Sequence, residues 1–179
     1  MLIAFVLAGI VLGWMRGGRL RDMEVELVWP LLPVAAFLLE RLLPLVPGVP
    51  ARLPQAALYA LLLVFFFKNR WGGAWALLCG GGTALNALVI GANGWRMPVT
   101  ARVTGNFAKL LATGRIPGYT LAGAQTRFLL LGDILPVPGV GYASVGDLLM
   151  GVGAALLVSH MMTAPARRQG ASPGPGKED

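Results

Sequence analysis

Charge, cysteine and histidine are all scarce in this chain of 179 residues. Charged residues make up 13% of it, and it has one cysteine and one histidine. The single Cys79 excludes an internal disulfide bond, and with it a disulfide-stabilised scaffold. The single His160 has no second ligand type near it in sequence, and neither a Cys-x-x-Cys nor a His-Glu-x-x-His pattern occurs. We therefore predict neither a metal site nor a cofactor.

The chain is instead rich in apolar residues. They make up 56% of it, and glycine adds another 25 residues, whereas ordinary soluble domains have about 45–50% with glycine included. Several uncharged runs approach the roughly 20 residues that a helix needs to cross a hydrocarbon layer. This composition excludes a soluble globular domain and predicts an integral protein of the cell membrane.

Five apolar segments are predicted to cross the membrane, which makes the chain an all-α, multi-pass membrane helix bundle. The clearest segment carries no charge and is framed by tryptophans, which favour the membrane interface. The five predicted crossings are residues 1–15, 27–45, 53–67, 71–95 and 148–166. Residues 1–166 thus form one membrane-embedded domain, and residues 167–179, rich in Gly and Pro, form a disordered tail.

The segment between the fourth and fifth predicted crossings is polar and basic. Residues 93–132 contain five basic residues and no acid. Across residues 99–112, apolar residues recur at three- and four-residue steps, which predicts an amphipathic helix in the membrane interface. We expect the segment to engage anionic membrane lipids, or a membrane protein partner or second copy of the chain. The predicted lipid-binding residues are Arg96, Arg102, Lys109 and Arg115.

The distribution of basic residues bears on partners and on orientation. Because these residues are dispersed along the edges of apolar segments, nucleic acid is a poor partner. Five crossings place eight Lys and Arg residues on one side of the membrane and seven on the other. Long loops count for less in the positive-inside rule, so we expect the carboxyl terminus in the cytoplasm and the basic segment outside.

Asp147 is the first candidate for chemistry, because an ionisable residue beside a membrane span is costly and is by default a functional hypothesis. Four-residue steps from it reach Gly151, Ala155 and Ser159, small residues that let helices approach closely. An alternative role is structural, since Ser144 and Asp147 have the spacing of a helix capping box. The sequence allows both roles, and capping does not exclude catalysis.

Asp133 is the second candidate and lies in an apolar, proline-bounded stretch. If it meets Asp147, the two carboxylates share a proton and act as general base and acid on a water molecule. Asn86, in the middle of the fourth crossing, and Ser144 would then orient the substrate. The alternative is that Asp133 only accepts hydrogen bonds from loop amides.

With these residues in hand, the chain resembles an uncharacterised bacterial family of small multi-pass membrane proteins, classified as a domain of unknown function. The shared features are Arg16-Gly17-Gly18, Asn93-Gly94-x-x-Met97-Pro98-Val99, Gly132-Asp133-Ile134-x-Pro136 and Ser144-Val145-Gly146-Asp147. The resemblance implies membership of that family and carries no activity with it.

The chain is also faintly similar to the lipoprotein signal peptidases, membrane aspartyl enzymes that cleave lipidated signal peptides near the outer bilayer face. The similar stretches, in the same order, are Gly81-Gly82-Thr83-Ala84-Leu85-Asn86, Asp133-Ile134, and Val145-Gly146-Asp147 with Gly153. The chain departs from that family at Ser144, where the family has Asn, and at Val89-Ile90, where it has Asp-Arg.

This second resemblance implies that Asp133 and Asp147 are catalytic. Two functional hypotheses therefore follow from the sequence, and whether the chain is an enzyme stays open between them. The first is an integral membrane protein of unassigned function that engages anionic lipid or a membrane partner through residues 93–132. The alternative is a membrane-embedded aspartyl hydrolase.

Overall fold

The computed structural model of the protein describes residues 1–24, 26–103, 105–139 and 141–170. Six α-helices make up most of these residues: α1 (Leu2–Met15), α2 (Leu32–Leu42), α3 (Leu53–Lys68), α4 (Ala74–Ala92), α5 (Gly105–Ala112) and α6 (Val145–Gly170). Pro33 and Pro54 lie in the first turns of α2 and α3, where the missing N–H has no helical partner to lose. Gly73, with a φ of 109°, precedes α4.

Two of the described helices are long and apolar enough to cross a membrane, namely α4 and the Val145–Thr163 part of α6, each with 19 residues. The predicted count of five crossings is not supported. The helices α1, α2 and α3 have 14, 11 and 16 residues. At about 1.5 Å per residue the longest of them reaches about 24 Å, less than the ~30 Å hydrocarbon layer. Proline shortens α2, since Pro44 lies in a separate 3₁₀ turn directly after it.

Helix α6 packs against both α1 and α4, and glycines bring the backbones close together. Gly9 of α1 lies against Ala155, where an added Cβ would be 2.5 Å from the Ala155 carbonyl oxygen. On another face of α6, a Cβ added to Gly153 would lie 2.9 Å from the Cys79 nitrogen of α4. The small residues along α6 therefore form helix contacts, as small-residue faces do in membrane helix pairs.

Two small sheets lie in the connection between α4 and α6, so the all-α prediction needs a correction. Strand β1 (Met97–Val99) pairs in parallel with β2 (Tyr119–Leu121), and β3 (Leu135–Val137) pairs antiparallel with β4 (Gly141–Ala143). Asp133 adds a parallel bridge to β1. Strands of three residues are too short to show the alternation that marks a strand in sequence.

The predicted amphipathic helix is shorter than expected. It was placed in residues 99–112, but α5 begins at Gly105, whose φ is +73°, and Val99 belongs to β1. Within α5, Leu111 is buried whereas Lys109 is exposed. At the other end of the chain, α6 continues to Gly170, past the predicted end of the last crossing at residue 166. Residues 171–179 of the predicted tail lie outside the described residues.

Candidate functional site

Asn86 of α4 and the first turn of α6 form a closed hydrogen-bond network. Asn86 Nδ2 donates to Asp147 Oδ1 at 2.8 Å, and the Ser144 hydroxyl donates to Asn86 Oδ1 at 2.9 Å. Ser144 and Asp147 also form a capping box, in which Asp147 N–H donates to Ser144 Oγ at 2.9 Å and Ser144 N–H donates to Asp147 Oδ2 at 3.1 Å. The network fixes the start of α6 against the middle of α4.

Two glycines make this contact possible. A Cβ on Gly146 would collide with Asn86 Oδ1 and lie 2.6 Å from the Gly82 carbonyl oxygen. A Cβ on Gly82 would in turn collide with the Gly146 carbonyl oxygen. Because the collisions are with backbone or with a buried amide, a larger residue at either position would separate the two helices.

Asp133 is held beside β1 by its backbone. Its N–H donates to the Pro98 carbonyl at 2.9 Å, and its carbonyl accepts from Thr100 N–H at 3.0 Å. The preceding Gly132 packs so tightly that a Cβ there would be 2.6 Å from the Pro98 carbonyl oxygen. Since β1 is itself buried, this pairing carries the Asp133 side chain into the protein.

The Asp133 carboxylate is buried and incompletely paired. The residue is 7% exposed, and within the described part of the chain its Oδ1 has no hydrogen-bond partner. Burial, and to a smaller extent the negative charge of Asp147, raises the pKa of Asp133 to about 7. A carboxyl group with this pKa exists in both protonation states near neutral pH, which suits a general acid or base.

A cavity of about 300 Å³ lies beside Asp133. Its lining is mostly apolar and aromatic, and it consists of Val99, Phe107, Ile116, Tyr119, Asp133, Gly141 and Tyr142. Partial burial raises the pKa of Tyr119, and the charges of Asp133 and Asp147 add to this effect. The cavity thus combines a protonated tyrosine with a titratable carboxyl group. Among the described residues, no cluster of three His, Cys, Asp or Glu side chains is arranged to hold a metal ion.

The structure brings three of the four predicted catalytic and orienting residues, Asn86, Ser144 and Asp147, into direct contact. Asp147 is close enough to Asp133 to affect its charge, but no hydrogen bond between described residues joins the two carboxylates. The capping geometry of Ser144 and Asp147 is confirmed, whereas their catalytic and orienting roles stay predictions. The predicted lipid-binding residues are all exposed, and their role also stays a prediction; they are Arg96, Arg102, Lys109 and Arg115.

Asn93 is a positioning residue whose contacts were not predicted from the sequence, although it lies in one of the shared family motifs. Its Nδ2 donates to the Val89 carbonyl at 2.7 Å and to the Arg127 carbonyl at 2.8 Å, and its Oδ1 accepts from Arg127 N–H at 2.9 Å. The side chain therefore ties the polar segment to the end of α4. The only signal in the sequence is the pair Asn93-Gly94, which is typical of a turn but does not show what the amide contacts.

Comparison with known proteins identifies a family. A family described as one of unknown function, DUF5317, matches residues 19–159. The matched region contains Asn86, Asp133, Ser144 and Asp147. Neither the curated proteins nor the solved structures gave a match. Because the matched region covers more than half of the sequence, the chain belongs to the DUF5317 family, whose function is unknown.

Proposed function

We propose that the chain is a multi-pass membrane protein that engages anionic lipid headgroups through residues 93–132. Membrane residence is supported by the length and apolar character of α4 and α6, and by the outward-facing surfaces of α1 and α2. Exposed apolar area of this extent is unusual in water and ordinary in lipid. Large apolar side chains of α1 and α2 that are more than half exposed include Leu2, Ile3, Leu7, Trp14, Val34, Phe37 and Leu38.

The lipid proposal rests on the exposed positive charge of residues 93–132. Residues 93–132 contain no acid. Arg96 also reaches the turn after α5, since its Nη1 is 3.9 Å from where a Cβ of Gly114 would lie. Each exposed cation close to an anionic bilayer contributes about 1 kcal/mol of attraction.

The test is a lipid titration of the detergent-solubilised full chain, followed by native mass spectrometry. The triple variant Arg102→Gln, Lys109→Gln and Arg115→Gln removes three of the cations. Each lost charge should weaken the binding of phosphatidylglycerol about fivefold, from about 1 kcal/mol per cation. Binding of zwitterionic phosphatidylcholine should change little.

A matched triple variant separates local charge from total charge. Arg21→Gln, Arg41→Gln and Arg52→Gln remove the same number of exposed cations, all of them outside residues 93–132. This protein should keep the affinity of the wild type for phosphatidylglycerol. If both triple variants lose affinity equally, or if the first loses none, the assignment to residues 93–132 fails.

A second candidate function, a membrane-embedded aspartyl hydrolase similar to the lipoprotein signal peptidases, is favoured by the unpartnered Oδ1 of Asp133 beside a cavity. A buried polar atom without a partner is costly and calls for an explanation, of which a catalytic role is one. In this mechanism the Asp147 carboxylate takes a proton from water as the water oxygen adds to the substrate carbonyl. Protonated Asp133 then gives its proton to the leaving nitrogen as the C–N bond breaks. Asn86 orients Asp147 through their existing hydrogen bond.

The hydrolase candidate is tested with a fluorescent, lipidated signal-peptide substrate and the purified full chain. Asp133→Asn and Asp147→Asn should each lower cleavage by roughly a hundredfold or more, because each removes a proton-transfer group. Asp22→Asn, a change at a partly exposed acid paired with Arg21, should leave cleavage unchanged. No cleavage by the wild type, or full cleavage by Asp133→Asn, would rule this candidate out.

A further inference from the structure

A second cleft lies at the amino-terminal end of α4, away from the site described above. Its volume is about 320 Å³, and its lining includes Arg16, Gly72, Gly73, Ala74, Trp75 and His160. Along α4, Trp75 and Asn86 are eleven positions apart, which corresponds to about 16 Å of helix. We call this space the α4 amino-terminal cleft. It is separate from both the Asp133 cavity and the basic segment.

The amino-terminal end of α4 lies at this cleft, and no acid is among the described residues that line it. Gly73 precedes the helix with φ 109° and ψ −166°, a conformation that is essentially limited to glycine. No side chain in the described ranges caps the helix, and its first turn contains no acid. The first N–H groups and the positive end of the helix dipole therefore favour a bound anion.

A buried indole N–H is the second, independent observation. Trp75 is 3% exposed, and its Nε1 finds no hydrogen-bond partner in the part of the chain that the structure describes. The same edge of the indole lies against Gly72 in the cleft lining, with Nε1 3.1 Å from where a Gly72 Cβ would be. Because a buried donor without an acceptor is costly, an acceptor that enters the cleft and reaches this edge of the indole would be stabilised.

Arg16 supplies a full positive charge to the same cleft. It is exposed in the turn after α1, and no ion pair between described residues engages it. The Glu24 N–H donates to the Met161 carbonyl of α6, and the Glu24 side chain is not part of the cleft lining. A guanidinium group, an indole N–H and a helix amino-terminal end are all donors suited to phosphate oxygens.

We propose that the α4 amino-terminal cleft binds a phosphate group, either as free phosphate or as the phosphate monoester headgroup of a lipid. In this site Arg16 pairs with two phosphate oxygens, the Trp75 indole N–H donates to a third, and the first turn of α4 stabilises the charge. Trp71 and Leu156, which also line the cleft, would contact the apolar chain of a lipid. The site does not depend on lipid binding by residues 93–132.

The test follows the indole N–H signal of Trp75 by nuclear magnetic resonance in the full chain, labelled with ¹⁵N-tryptophan and held in nonionic detergent. The chain has five tryptophans, and the Trp75→Phe variant identifies the signal of Trp75. Inorganic phosphate or lysophosphatidic acid should shift this signal, because the N–H gains an acceptor. A shift with both probes shows that the phosphate group suffices, and a shift with lysophosphatidic acid alone assigns a lipid ligand. No shift with either probe overturns the proposal.

Three further variants make the test specific. Arg16→Gln should weaken the binding that the Trp75 signal reports by about tenfold or more, since it removes hydrogen bonds from a charged donor. Arg21→Gln, at an exposed arginine paired with Asp22, should leave the affinity unchanged. The triple variant at Arg102, Lys109 and Arg115 should also bind normally, so this site and the proposed lipid surface can fail independently. Equal affinity in Arg16→Gln and the wild type would overturn the proposal.

Discussion

Asn86 and Asp147 are joined across two helices by a hydrogen bond of 2.8 Å. Both helices are long and apolar enough to cross a membrane, and in such a setting a polar side chain is satisfied best by a partner on another helix. The oxygen of the same amide accepts from the Ser144 hydroxyl at 2.9 Å. One side chain of α4 thus sets both the axial position and the rotation of the first turn of α6.

Replacing Asn86 by alanine should destabilise the fold. Asn86→Ala leaves the Ser144 O–H without an acceptor and Asp147 Oδ1 without its donor, which should cost about 2–3 kcal/mol. The midpoint of thermal unfolding in detergent should therefore fall by roughly 5–10 °C. Asn106→Ala, at an exposed position, is the control and should have little effect. Equal midpoints for the two variants would contradict a structural role for the network.

The close approach at Gly146 gives a second prediction. Gly146→Ala places a methyl group against Asn86 Oδ1 and the Gly82 carbonyl oxygen, and we expect a loss of about 3 kcal/mol, the upper end of the range typical of overpacking. Gly81→Ala is the matched control, since it lies in α4 with open space around it. Because alanine favours helix over glycine by up to about 1 kcal/mol, this control should be neutral or stabilising. Thermal unfolding of both variants decides the point.

The spacing of residues in the sequence predicted the capping box, but it did not predict the surroundings of Asp133. Ser144 and Asp147 are three residues apart, and a capping box depends on nothing else, so their hydrogen bonds could be read from the sequence. The sequence showed that the Asn86 amide needs hydrogen-bond partners, but it did not show that these partners are Ser144 and Asp147. The environment of Asp133 depends on the pairing of β1 with residues more than 30 positions away, which no local pattern records.

Asn93 should control how firmly the polar segment is attached to α4. Asn93→Ala removes three hydrogen bonds, two of them to the backbone of Arg127. A local loss of about 1.4 kcal/mol would raise the opened population about tenfold, and trypsin cleavage after the exposed Arg127 would accelerate in proportion. The rate of the Asn106→Ala protein is the reference. Unchanged cleavage after Arg127 would show that other contacts hold this segment.

The positions of the two long apolar helices could be predicted from the sequence more readily than the limits of the shorter helices. Uncharged runs placed α4 and α6 correctly, because burial in lipid or protein requires nothing beyond apolar side chains. The limits of the shorter helices depend on single prolines and glycines, such as Pro44 after α2 and Gly105 at the start of α5. The left-handed conformations of Trp95 and Phe128, with φ of 63° and 51°, are set by the surrounding structure rather than by residue preference.

Asp133 should make stability depend on pH. In an unfolded chain an aspartate has a pKa of about 3.9, whereas burial and Asp147 raise the pKa of Asp133 to about 7 in the folded protein. The folded state therefore binds this proton more tightly. The stabilisation from this tighter proton binding is fully present below about pH 4 and is lost as the pH rises through 7. The free energy of unfolding falls by up to about 4 kcal/mol in consequence.

Asp133→Asn removes the titrating group and should abolish this loss. The variant and the wild type should have similar unfolding midpoints near pH 4, where wild-type Asp133 is protonated, and the variant should be the more stable protein at pH 8.5. The measurement is thermal unfolding in detergent between pH 4 and pH 9. Asp22→Asn, at the acid paired with Arg21, should follow the wild-type curve. If the unfolding midpoints of Asp133→Asn and the wild type change with pH in the same way, Asp133 does not hold its proton near neutral pH. The hydrolase mechanism would then lack its general acid.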